Sequence, residues 1–271
     1  MPLQAKRASE QESHDQFLQC SSARNALSPR RYAEFPGGVD RIAVHMVRIG
    51  FHEELVAAED ELLKQGALVR SQLDKVLRAL SERDIDLANE VLTGDDPVDD
   101  LYIETQAKVL NLLALQAPVA KDLRLVSAIL HSNVHVERMG DLCVNIAKFV
   151  LNREPYPSDS PMLSRLDEMG ARAAEMLELA MSAFAQRSDE LAEQLPHKDE
   201  AIDRLNRGML EDLKEYVNDE ATFEWASKLI LVARYLERFG DHAVDIGEQI
   251  SFLVTGVFRE FTDASHPEGV P

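Results

Sequence analysis

From Phe51 onward, apolar residues recur at three- and four-residue steps, and glycine and proline are sparse until Gly256. That period marks amphipathic α-helix. Breaks near Ser81–Arg83, Ala117–Pro118, Glu154–Pro161, Arg187–Ser188 and Asn218–Ala221 divide the pattern into six predicted helices, three on each side of one proline-bearing linker. In the third helix, Ile129, Val136, Cys143 and Val150 recur every seven residues, interleaved with Leu125, Ser132, Met139 and Ile146. In the sixth, Leu229, Leu236, Ala243 and Ile250 interleave with Trp225, Val232, Phe239 and Ile246. Such heptads predict long helices crossing at shallow angles, as in a left-handed bundle. Residues 1–45 carry no sustained period and contain the Pro36–Gly37–Gly38 breaker, so the expectation there is a disordered or loosely attached extension. Met46 stands just ahead of the helical pattern.

The two sides of the linker repeat one another. Glu137-Arg-Met-Gly140-Asp141-Leu-Cys-Val144-Asn145-Ile146 returns as Glu237-Arg-Phe-Gly240-Asp241-His-Ala-Val244-Asp245-Ile246, at an offset of 100 residues. Upstream, Asp95-Asp-Pro-Val98-Asp99-Asp-Leu101 is echoed by Asp199-Glu-Ala-Ile202-Asp203-Arg-Leu205, at an offset of 104. The predicted fold is therefore all-α, two tandem pseudo-symmetric three-helix bundles. The boundaries that follow are an extension over 1–45, a first unit over 46–154, a linker over 155–161, a second unit over 162–256 and a tail over 257–271.

Charge narrows the functional classes. Among 271 residues, 48 acidic side chains face 29 basic ones, a formal net charge of −19. That balance disfavours phosphate backbones and anionic lipid surfaces, and it favours cations or basic partner surfaces. Two cysteines, Cys20 and Cys143, are too few for a disulfide framework or a thiolate zinc site. No apolar run reaches the ~18 residues of a membrane span, and no basic-then-apolar leader opens the chain. The expectation is a soluble intracellular protein.

The acids themselves form a pattern. Each unit carries two pairs at i, i+4: Asp95/Asp99 with Glu137/Asp141, and Asp199/Asp203 with Glu237/Asp241. Four residues bring such a pair onto one helix face, where like charges repel unless a cation lies between them. Chance alone supplies roughly eight acidic pairs of this spacing in so acidic a chain, so spacing by itself indicates only a solvated face. The duplicated context is what separates these pairs from that background. Gly140 and Gly240 add to it, because a mid-helix glycine costs about 1 kcal/mol relative to alanine. Its presence in both copies predicts a close approach to the helix backbone there.

The segments Leu112-Leu-Ala-Leu-Gln-Ala-Pro118-Val-Ala-Lys-Asp122-Leu-Arg124, Glu137-Arg-Met-Gly-Asp141 and Arg234-Tyr-Leu-Glu237-Arg-Phe-Gly-Asp241 closely resemble the PhoU family of phosphate-signalling regulators. The resemblance extends from about Phe51 to Gly256. It implies surface metal clusters held by the eight acids named above, with Fe, Zn, Mn, Mg or Ca all compatible with oxygen ligands. It also implies a cytoplasmic, dimeric partner of the phosphate transporter ATPase subunit and a sensor histidine kinase, recruited to the inner face of the membrane. In that role the protein keeps the phosphate-starvation response off when phosphate is plentiful. The chain departs from the family pattern at Asp245, where asparagine is common, in its leader and tail, and at Pro97. A proline inside a helix removes a backbone bond and clashes with the preceding turn, so a kink is expected at Pro97. The second cluster is accordingly expected to bind metal more strongly than the first.

Arg138 and Arg238 are predicted to brace the neighbouring carboxylates, and Trp225 to anchor the bundle. His131, His135 and His242 flank the motif helices as possible additional ligands. Pro118 fits the first turn of a helix, followed by Asp122 and Arg124. Two rival functions compete with the regulator: a metal-free acidic adaptor and a di-metal carboxylate enzyme. The enzyme class requires Glu-x-x-His, and none of the eight histidines has a glutamate three residues before it.

Overall fold

The structure, a computed structural model, describes residues 41–152 and 160–261. The expectations for residues 1–40, for most of the linker and for the end of the tail lie outside the described residues. Two compact units divide the chain, Met1–Glu53 and Glu54–Pro271. The described part of the first is the opening of helix α1, and the second holds all the structure that follows.

The described residues contain α-helices, one 3-10 turn and no strand. Helix α1 spans Arg41–Glu82, α2 Ile85–Thr93, α3 Asp96–Gln116 and α4 Ala120–Leu151. After the linker come α5 over Pro161–Gln186, α6 over Asp189–Ala192, α7 over Leu195–Leu213 and α8 over Glu220–Thr255. The six long helices are the six predicted, in two tandem three-helix sets. Short α2 and α6 fill the first connection of each set. Polar caps start four helices: Asp84, Ser160, Ser188 and Asp219 each accept a backbone N–H from the first turn of α2, α5, α6 and α8. Left-handed residues end α1, α3 and α5, with Arg83, Ala117 and Arg187 at φ of 58°, 42° and 52°.

Both predicted heptad seams are buried throughout, from Leu125 to Val150 on α4 and from Trp225 to Ile250 on α8. These two helices pack along one another and join the two sets. The opening helices α1 and α5 meet in a reciprocal manner. A Cβ on Gly66 would lie 2.6 Å from Met181 Sδ, and one on Gly170 would lie 2.4 Å from a Leu77 methyl. Gly66 and Gly170 are 104 residues apart, as are Leu77 and Met181. Each contact is therefore the other with the repeats exchanged, which is the mark of a pseudo-two-fold axis. Glycine at both positions lets the helices approach where any side chain would collide.

Two prolines behave differently from expectation. Pro97 does not kink a helix interior, because α3 begins at Asp96 and Pro97 sits in its first turn, where the missing N–H has no helical acceptor to lose. The Asp95 carbonyl accepts from Asp99 N–H at 3.1 Å, so the one-turn spacing of that pair is intact. Pro118 lies ahead of α4 rather than in its first turn, since Val119 is the N-cap. Near the same end of α4, Arg124 Nε donates to the Leu253 carbonyl at 3.3 Å, and its guanidinium lies against Gly256. A cation thus closes the carbonyl end of α8. Beyond α8, the chain folds back: Phe261 N–H donates to Glu248 Oε1 at 2.8 Å, and Arg259 reaches Asp189 and Glu193.

Candidate functional site

The close approach predicted at the motif glycines is made by the other acidic motif. A Cβ on Gly140 would meet Gln72 Oε1 at 3.3 Å, Asp95 Oδ1 at 3.4 Å and Val98 Cγ1 at 3.4 Å. A Cβ on Gly240 would meet Asp199 Oδ1 at 2.5 Å, Ile202 Cδ1 at 3.3 Å and Met176 Sδ at 3.6 Å. Residue by residue, these are equivalent positions of the two repeats. The bare backbone of each E-R-x-G-D helix admits the first aspartate of the D-x-x-[VI]-D segment, which sets the two acidic pairs of each repeat on helices that pack together. The neighbours differ in chemistry only where Gln72 is replaced by Met176. Gln72 donates from Nε2 to Asp95 Oδ1 at 3.3 Å, whereas a methionine sulfur occupies that place in the second repeat.

In the first cluster the carboxyls of Asp95, Asp99 and Glu137 all titrate above their ordinary range. Burial is the largest cause for each; Asp141 then adds repulsion to all three. Arg138 partly offsets this, with Nη1 2.9 Å from Asp141 Oδ2 and Nε 3.5 Å from Glu137 Oε2. In the second cluster, burial raises Asp241 most; Asp203 and Asp245 add to it, and Arg234 and His242 oppose it. The brace there is Arg234, which pairs with Glu237, rather than Arg238, although both are exposed. Arg207 stands 3.7 Å from Asp203 Oδ2. Glu237 is buried at 8% exposure, and its Oε2 has no hydrogen-bond partner.

Among the described residues, the compact group of three potential metal ligands is not drawn from these eight acids. It consists of His135, His242 and Asp245, whose donor atoms all lie within 4.8 Å of one another. The sequence marks His135 and His242 individually, and Asp245 only as an added charge. Their meeting depends on the register of α4 against α8, which no periodicity within either helix encodes. Burial pushes the His135 imidazole below its usual pKa, with Asp245 opposing and His242 and His131 reinforcing the shift. Trp225 is buried, edge-on to Tyr216 at 5.7 Å, and Cys143 is wholly buried, which holds its thiol protonated.

Comparison with known proteins matches this architecture. The sequence model of the PhoU domain matches twice, over residues 62–150 and 166–250. The chain is 29% identical to a phosphate-specific transport system accessory protein PhoU homolog of Clostridium acetobutylicum, covering 80% of this chain and all of that one. It is 32% identical to the homolog of Caulobacter vibrioides, covering 78% of this chain and 92% of the relative. Among solved structures, PhoU from Pseudomonas aeruginosa superposes with a TM-score of 0.72 at 30% identity, covering 76% of this chain and the whole of that one. The phosphate transport system regulatory protein PhoU from Streptococcus pneumoniae gives 0.70 at 28% identity, over 78% of this chain and all of its own. With both repeats matched by the domain and the duplicated acidic motifs assembled in each, the chain belongs to the PhoU family.

Proposed function

We propose that this protein is a negative regulator of phosphate uptake and of the phosphate-starvation response, acting beside the phosphate transporter ATPase and a sensor histidine kinase. The observation that carries the reading is the duplicated carboxylate cluster, built in equivalent geometry on both repeats of a PhoU-family chain. No described helix is long and apolar enough to cross a membrane, which suits a protein that reaches the cytoplasmic side of a transporter through its partners. The protein works as a dimer and catalyses no reaction in this reading.

The clusters are proposed to hold divalent or iron-type cations. Oxygen-only donors, mutual repulsion and partial burial fit hard and borderline metals. The unpartnered, buried Glu237 Oε2 supports a ligand role at the second cluster. Asp95, Asp99, Glu137 and Asp141 would hold metal in the first repeat, and Asp199, Asp203, Glu237 and Asp241 in the second. Bound cations would cancel repulsion and so stabilise the folded chain by mass action.

Deletion of the gene is expected to leave phosphate-responsive genes expressed in phosphate-rich medium. Normal repression in a strain with no second copy would overturn the regulatory reading. The variants Glu137→Gln/Asp141→Asn and Glu237→Gln/Asp241→Asn, assayed by elemental analysis of protein prepared without added metal, separate a metal-dependent regulator from a metal-free adaptor. Absence of metal from the unmodified protein, with repression intact, would favour the adaptor.

A further inference from the structure

The three edges of the His135–His242–Asp245 triangle are short and nearly equal. His135 Nδ1 lies 3.2 Å from His242 Nδ1 and 3.3 Å from Asp245 Oδ2, and His242 Nδ1 lies 3.5 Å from the same oxygen. Hydrogen bonding alone cannot satisfy this arrangement. An ionised carboxylate only accepts, and each Nδ1 either donates or accepts. With both Nδ1 protonated, two donors confront each other at 3.2 Å. With one protonated, the other nitrogen's lone pair faces the carboxylate; with neither, three lone pairs converge. A single cation resolves all three edges at once. Zinc bonds to nitrogen and oxygen of about 2.0–2.1 Å imply tetrahedral edges of roughly 3.3–3.4 Å, which the observed separations bracket.

The repeat does not explain the group. Its pseudo-symmetric counterparts, at the offset of 100, are Tyr235, Leu142 and Asn145, which offer no comparable donor set. The triangle therefore exists on one side of the molecule only, between α4 of the first repeat and α8 of the second. Its side chains are 23%, 16% and 43% exposed, so a metal ion has access from solvent. The ligand chemistry also differs from that of the carboxylate clusters, since imidazole selects borderline transition metals over Mg²⁺ or Ca²⁺.

We propose that His135, His242 and Asp245 form a zinc-type transition-metal site that ties the two repeats together, built from residues other than the eight cluster acids. Cobalt(II) is the probe, because a tetrahedral imidazole site gives intense visible bands that six-coordinate oxygen sites lack. The full chain, stripped with chelator, is titrated with Co²⁺ and then Zn²⁺. Expected are visible bands that Zn²⁺ displaces and Mg²⁺ does not, with Zn²⁺ affinity falling about tenfold or more in His135→Asn, His242→Asn and Asp245→Asn. Asp245→Asn installs the residue found at position 145 of the first repeat, so it decides the matter should either histidine variant fail to fold. Absence of the bands in the unmodified protein, or bands and Zn²⁺ affinity that persist in Asp245→Asn, would overturn the proposal.

Discussion

Replacing each motif glycine by alanine asks whether the two clusters are equally tight. Both substitutions gain the same helix propensity, about 1 kcal/mol, so their difference isolates the cost of the added methyl. At Gly140 that methyl finds its neighbours at 3.3–3.4 Å, slightly closer than ordinary contact. Small adjustments of Gln72 and Val98 accommodate it, and Gly140→Ala is expected to be neutral or mildly stabilising. At Gly240 the methyl falls 2.5 Å from Asp199 Oδ1, a distance that cannot be kept. The short aspartate side chain must turn away, and the second cluster loses its geometry. Overpacking of this kind costs about 1–3 kcal/mol, so Gly240→Ala should be less stable than Gly140→Ala by that amount. At about 2–4 °C per kcal/mol for a chain of this size, thermal unfolding in chelator resolves the gap. The same pair in excess divalent metal should diverge further, because a displaced Asp199 weakens whatever stabilisation the cation gives. Equal unfolding temperatures, or a lower one for Gly140→Ala, would refute the reading of Gly240 as the tighter cradle.

Removing Arg124 takes the cation from the carbonyl end of α8. Arg124→Ala should cost about 1.5 kcal/mol, the low end for a hydrogen bond to a charged group, and hydrogen exchange should accelerate around Leu253–Gly256 while the rest of α8 stays protected; uniform acceleration along α8 would contradict this. Glu248 has its pKa raised, chiefly by burial, with the Phe261 N–H opposing. Because the folded state holds this proton to higher pH than the unfolded state does, stability falls as pH rises from the ordinary glutamate range through the folded pKa. Glu248→Gln keeps the acceptor for Phe261 N–H and removes the charge. It should therefore be the more stable protein at neutral pH, an advantage that disappears below about pH 4 and that denaturant melts across pH would detect.

Much of the fold is written in local pattern. The heptads of α4 and α8 name the buried face because a helix repeats its own geometry, and a repeat offset of 100 pairs equivalent residues without knowledge of space. The glycines of the E-R-x-G-D motifs foretell a close neighbour, although not its identity as the partner aspartate. What the sequence conceals depends on where elements begin and how they register. Pro97 reads as a kink only while its helix is thought to begin earlier; one residue at the N-terminus turns the same proline into a favourable start. Short α2 carries a single full apolar period and is hidden in a connection. Arg234 and Arg238 lie one turn apart, and only the packed α8 distinguishes the one that reaches Glu237. The histidine–aspartate triangle needs the alignment of two helices from different repeats, information that no single segment contains.

The reciprocal glycines of α1 and α5 have a mechanical consequence. Gly66 and Leu77 are eleven residues apart, as are Gly170 and Met181, so the two contacts stand about 16 Å apart along the helices. One point of contact would leave a pivot about which the repeats could turn. Two points that far apart leave only the line through them as an axis, and the α4–α8 packing, which lies off that line, opposes turning about it, so bending between the repeats is resisted.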